Sequence, residues 1–190
     1  MDDSNFTGAP ERVALRTHAF DELRVGMRDS VSREVGEVDE LNAWLGLVRA
    51  SGLDADIDTA LVHIQRDLFA VGAQLADPAD RLASRVTKAF IADTDVERLE
   101  QLIDRLEQEL PPLTRFILAG GNPAGASLHV ARTVCRRAER RCVSLMRKEQ
   151  VDSTSIIFLN RLSDALFVLA RWVAHSLGES EVLWERTRVT

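Results

Sequence analysis

Cysteine is almost absent from the chain, which carries only Cys135 and Cys142. If both lie on one helix, their spacing puts them roughly 10 Å apart along its axis, too far for a disulfide. They read as buried thiols of a reducing compartment. Glycine and proline are also scarce, 10 and 5 among 190 residues, and the abundance of Leu, Ala, Arg and Glu favours helix over strand. No segment approaches the roughly 20 consecutive apolar residues of a transmembrane helix, so no membrane partner is expected. The opening MDDSNFTGAP is acidic and polar and has no apolar targeting core, which points to the cytoplasm. A formal net charge of -6 argues against general nucleic-acid binding, which needs broadly distributed positive charge. Several chemical signatures are missing too. There is no Walker A motif, no GxGxxG and no CxxC. None of His18, His63, His129 and His175 follows a glutamate by three residues, as a di-iron bundle requires. No metal ligand is assigned, and the histidines read as partly buried helix residues.

What the chain does have is helical periodicity. Residues 1–34 carry little of it and read as a partly ordered arm; residues 35–190 read as one domain. From Gly36, Val38, Leu41, Leu45 and Val48 mark a first helix, with Gly52 where a C-cap belongs. Leu61, Ile64, Leu68, Val71 and Leu75 define a second over 56–76, closed by Asp77-Pro78. A third, near 93–109, has Asp93 or Thr94 as its expected cap and Val96, Leu99, Ile103, Leu106 and Leu110 facing inward. Pro111-Pro112 ends it. A fourth runs to about Lys148. The last, near 154–177, carries Ile157, Leu162, Leu166, Leu169 and Val173. No strand alternation and no internal repeat appear. The expected fold is all-α, an antiparallel five-helix bundle.

Chemistry concentrates in three stretches. The richest is Phe116 to Arg141, FILAGGNPAGASLHVARTVCRRAERR, a short apolar loop, a Gly-Gly turn and a helix dense in arginine. Helical spacing gives Arg132, Arg136, Glu139 and Arg140 one broad face. Leu128, Ala131, Val134, Cys135, Ala138 and Leu145 form the packed side. Arg137 and Arg141 extend the positive edge. Guanidinium pairs bidentately with phosphate and stays charged, so such a strip suits a polyanion. Taken alone, it also matches an ordinary solvated helix laced with charge. The second stretch, VDELN, sets Asp39 near a helix start, where a dipole partner is an equally good account. The third, LNRLSD, sets Asn160 and Asp164 four apart on one face with Ser163 beside them. Polar groups in an otherwise apolar helix need partners.

In order, VDELNAWLG, IQRDLFAVGAQLA, FILAGG, SLHVARTVCRRAERR and LNRLSDALFVLAR resemble the PduO-type ATP:corrinoid adenosyltransferases over roughly residues 36–184. The resemblance implies a five-helix bundle that assembles as a homotrimer with active sites between subunits. It implies transfer of the 5′-deoxyadenosyl group of ATP, with Mg2+, to cob(I)alamin and release of triphosphate. Arg136, Arg137, Glu139 and Arg140 would contact ATP, Asn160 would join that site and Asp164 would buttress it. Arg132 would pair with Asp39 beside the corrinoid, and Arg132, Arg136 and Glu139 form the implied catalytic group. Phe116 would press on the lower corrin face and exclude the axial base. Hand-over of the product to a B12-dependent enzyme is a further implied partnership. Two features depart from the family pattern. Ala119 stands where the family loop carries proline, and residues 1–34 show only Thr7-Gly8 of its Thr- and Gly-rich opening segment. That second departure leaves an alternative, a relative that binds or delivers corrinoid without turning over ATP.

Overall fold

A computed structural model describes residues 29–76, 90–148 and 151–185. Both the arm expected at the N-terminus, up to residue 28, and the Asp77-Pro78 break lie outside the described residues. Five helices account for most of the rest: α1 Asp29–Arg49, α2 Ala55–Ala76, α3 Asp93–Glu107, α4 Pro123–Met146 and α5 Ser153–Ser176. Among the described residues, the expected all-α, five-helix architecture is what the chain adopts.

Helix α1 begins at Asp29, ahead of the Gly36 boundary read from the sequence. A helix-interior glycine costs roughly 1 kcal/mol in propensity, so Gly36 looks like an edge. Here Val35 and Val38 pack on the core on either side of it, and tertiary burial carries the helix through. At the other end Gly52 takes φ +76°, the left-handed conformation that lets the chain turn. Arg49, in the last turn of α1, donates Nε to Asp58 at 2.7 Å and Nη2 at 3.1 Å. Asp58 lies in the first turn of α2, so this bidentate pair joins two oppositely charged helix ends.

Helix α3 starts differently from the expectation. Its cap is Ala92, not Asp93 or Thr94, and Asp95 accepts the Ala92 backbone N–H at 2.9 Å. A carboxylate one turn into the helix thus satisfies the entry in place of a side chain at the cap. Arg98 ties this helix to α2 through Asp67 at 2.5 Å and holds Asp95 at 2.9 Å.

Helix α4 lies between α1 and α5, and its contacts with those two are the most extensive in the bundle. The packed side read for it is buried throughout: Leu128, Ala131, Val134, Cys135, Ala138 and Leu145. Both cysteines are free and buried. Burial pushes both thiols up, Cys142 to about 12, so neither is a ready nucleophile. The stripes of α1 and α2 are likewise buried. One residue of the α5 stripe is not: Ile157 is 51% exposed, while Phe158 and Leu159 are buried. Successive helical residues lie about 100° apart, so turning Phe158 and Leu159 inward carries Ile157 out.

Leu166 sits in the middle of α5 with no exposed surface. Leu166→Ala should cost about 2–5 kcal/mol through lost burial and the cavity left behind. Urea titration followed by circular dichroism measures it, and a loss under about 1 kcal/mol would show that this seam repacks.

Candidate active site

The loop before α4 sets the direction of the arginine helix. Gly121 takes φ +96°, and an added Cβ there would meet Glu179 Oε2 at 3.5 Å. Asn122 caps α4 by accepting the Gly125 backbone N–H at 2.9 Å, and Pro123 occupies the first turn. Gly125 faces α5, where an added Cβ would lie in ordinary contact, 3.5 Å from the Ala170 carbonyl oxygen.

Along α4 the arginines separate into two kinds. Arg137 is paired with Glu37 and Glu40 of α1, which hold its guanidinium above its ordinary pKa through the bond to Glu37 first. Its fork clamps α4 on α1. Arg136 and Arg140 are exposed, and no carboxylate among the described residues pairs with either. Between them Glu139 accepts from Asn160 Nδ2 at 2.9 Å, so RRAER and LNRLSD meet as their spacing required. A carboxylate only accepts, which fixes the amide with Nδ2 toward Glu139 and leaves Oδ1 as a free acceptor. Asp164, a turn further along α5, forms an exposed pair with Arg161 at 3.2 Å. Ser163 donates to the Asn160 carbonyl at 2.8 Å.

Arg132 sits apart from that cluster. Its guanidinium lies over the Phe167 ring, 5.8 Å from the centroid, and its Nε is buried without a hydrogen-bond acceptor. Asp39 is exposed on α1.

Phe116 is 80% exposed, at the edge of an open depression of about 650 Å³ bounded by Leu113, Thr114, Arg115, Phe116, Trp184 and Glu185. Its neighbour Ile117 forms an antiparallel bridge with Leu183. Sequence reading missed the residues that hold this region. Arg171 is buried and donates Nε to Glu181 at 2.5 Å and Nη2 to the Pro111 carbonyl at 2.9 Å. Its only sequence signal was a lone arginine in the apolar run ALFVLARWVAH. His129 is buried beside Phe167, their rings 6.1 Å apart and edge-on, and its Nδ1 has no partner. Burial lowers its pKa, Arg132 lowers it further and Glu181 opposes both. His63 and His175 are exposed. Among the described residues no group of three or more His, Cys, Asp or Glu is placed to hold a metal.

The profile of the family described as "Cobalamin adenosyltransferase" matches residues 15–173. That likeness begins well before Gly36, in a segment that no hydrophobic period marks. A "Cobalamin adenosyltransferase" of Cupriavidus metallidurans is 41% identical over 169 residues, 88% of each chain. A "Corrinoid adenosyltransferase" of Bacillus subtilis is 40% identical, covering 85% of this chain and 84% of that one. Among solved structures, a variant of the PduO-type ATP:corrinoid adenosyltransferase from Lactobacillus reuteri, complexed with cobalamin and ATP, aligns with a TM-score of 0.75. It is 38% identical and covers 84% of this chain and 88% of its own.

The buried histidine makes a pH prediction. Above its unfolded value of 6.5 both states are neutral and this residue adds no pH dependence. As pH falls below that value the unfolded chain binds a proton that the folded chain resists, so stability drops, by at most about 1.4 kcal/mol per pH unit. His129→Gln should narrow the stability gap between urea titrations at about pH 7.5 and about pH 5.5. An unchanged gap would assign the acid limb to other groups.

Proposed function

The chain belongs to the cobalamin adenosyltransferase family, and on that premise we propose that it transfers the 5′-deoxyadenosyl group of ATP to cob(I)alamin. The cobalt electron pair forms the Co–C5′ bond, the C5′–O bond breaks, and its electrons leave with triphosphate. Cobalt is the nucleophile, so the protein needs no serine, cysteine or general base. It needs a clamp for a polyanion that gains charge as the bond breaks. The observation that carries the proposal is the pair Arg136 and Arg140, exposed and without carboxylate partners among the described residues, flanking the Glu139–Asn160 hydrogen bond in a chain of net charge -6.

In this reading Arg136 and Arg140 hold phosphate oxygens. Glu139 orients Asn160, whose Oδ1 accepts from a ribose hydroxyl or the adenine amino group. Asp164 buttresses that end of α5 through Arg161. Mg2+ arrives with the nucleotide, held chiefly by phosphates and water as Mg2+ commonly is; the described residues offer no cage of their own. Phe116 presses on the lower face of the corrin and keeps off the axial base. Four-coordinate cobalt(II) is then easier to reduce to the nucleophile by one electron from an external reductant.

Arg136 lies about 20 Å along the α4 axis from Pro123, beyond the loop that carries Phe116. That separation favours a site shared between copies, and the homotrimer is the assembly we assign. The buried, unpartnered Nε of Arg132 supports a partner across the boundary, and Asp39 of a neighbouring copy is the acceptor in this scheme. Free, buried thiols agree with the reducing cytoplasm. Hand-over of product to a B12-dependent enzyme completes the role.

The deciding assay mixes protein, ATP, Mg2+ and reduced cobalamin without oxygen and follows loss of cob(I) absorbance; persistence of that absorbance refutes the activity. Arg136→Ala and Arg140→Ala should each weaken ATP binding by about 1.5–3 kcal/mol in calorimetry, the range for bonds to charged groups. Lysine should rescue only in part because it lacks the planar fork. Asp39→Asn should shift light scattering from trimer toward smaller species, since breaking a buried pair costs about 3–5 kcal/mol. A wild-type monomer at micromolar concentration would remove the shared site.

A further inference from the structure

The connection from Pro111 to Asn122 contains no buried residue. Hydrophobic packing therefore does not hold the loop that presents Phe116. Ala119 adds backbone freedom where a proline would restrict it. Behind the loop lies a cavity of about 240 Å³, between the loop, α5 and the segment after α5. A loop over a void needs another restraint to hold a bulky exposed aromatic in one place.

The segment after α5 provides that restraint. Gly178, at φ +71°, ends the helix and turns the chain back. The returning backbone pairs with the loop: Leu118 N–H donates to the Val182 carbonyl at 2.8 Å, and Trp184 N–H donates to the Phe116 carbonyl at 2.8 Å. Two carboxylates anchor the segment. Glu179 accepts from the Asn122 backbone N–H at 3.0 Å and from its side chain at 3.1 Å. Glu181 pairs with Arg171, which is 5% exposed and also binds the Pro111 carbonyl. The connection is thus gripped at its start, at Phe116 and at the cap of α4.

We propose that Gly178–Trp184 is a strap that positions Phe116, with Glu179 and Glu181 as its anchoring, positioning residues. Their effect on the reaction passes through the loop and not through the nucleotide. The proposal rests on the reading that Phe116 meets the corrinoid.

The test uses full-length protein with ATP, Mg2+ and cob(II)alamin, and electron paramagnetic resonance to read the four-coordinate fraction. Glu181→Gln and Glu179→Ala should each lower that fraction about threefold or more while the ATP Kd stays within about twofold, a split that general destabilisation does not produce. Glu181→Asp, which keeps the charge, should recover part of the signal. Glu179 makes its bonds at an exposed site, so its variant gives a readout even if loss of charge opposite buried Arg171 prevents folding of Glu181→Gln. Phe116→Ala should lose the signal, and adding Glu179→Ala to it should change nothing more. Strap variants with an undiminished four-coordinate signal, or with ATP and corrinoid binding lost together, overturn the strap. If Phe116→Ala alone leaves the spectrum unchanged, the assignment of Phe116 to the corrin fails instead.

Discussion

Helix α4 has to be a core element and a charged surface at once, and the bundle is arranged around that requirement. One side, from Leu128 to Leu145, is buried between α1 and α5, which removes enough apolar surface from water to fix the helix against its neighbours. The remaining arc carries the arginines. A 3.6-residue period allows both because the apolar and charged positions never coincide. Arginine suits the boundary between the two faces, since its long stem lies along apolar surface while the guanidinium reaches the edge. Arg132 over the Phe167 ring is the clearest instance.

The same helix then uses one residue type in three ways. Arg137 is neutralised by Glu37 and Glu40 and sets the contact with α1. Arg136 and Arg140 keep their charge available beside Glu139 and Asn160. Arg132 buries a donor that finds no acceptor among the described residues. Buried donors are rarely left so, and the proposed pairing across copies rests on this one. The groups proposed to face phosphate stand on rigid supports, two packed helices joined by a side-chain hydrogen bond. A groove for a leaving group with developing charge gains from that rigidity, because its dipoles need not reorganise as the bond breaks.

The end of the bundle that carries Phe116 is built on the opposite plan. Its loop has no buried residue and depends on backbone pairing and carboxylate anchors from the far end of the chain. A loop restrained by a few polar contacts over a cavity opens at lower cost than a packed one, which suits the large planar substrate proposed to meet Phe116.

Helix positions, the packed side of α4 and the encounter of RRAER with LNRLSD were legible in the amino-acid order, because each depends on periodicity within one helix or on two neighbouring helices sharing a face. Ordered motifs identified the family. Tertiary structure decided what periodicity does not encode. The start of α1 at Asp29 came from packing that overrides a glycine, and Ile157 turned outward because Phe158 and Leu159 turned in. Arg137 and Arg136 are adjacent and chemically identical; only the rotation of α1 against α4 gives one of them glutamates and leaves the other without. Arg171, Glu179 and Glu181 acquire their roles solely because the chain turns back after α5, and no local pattern records where a returning segment will land.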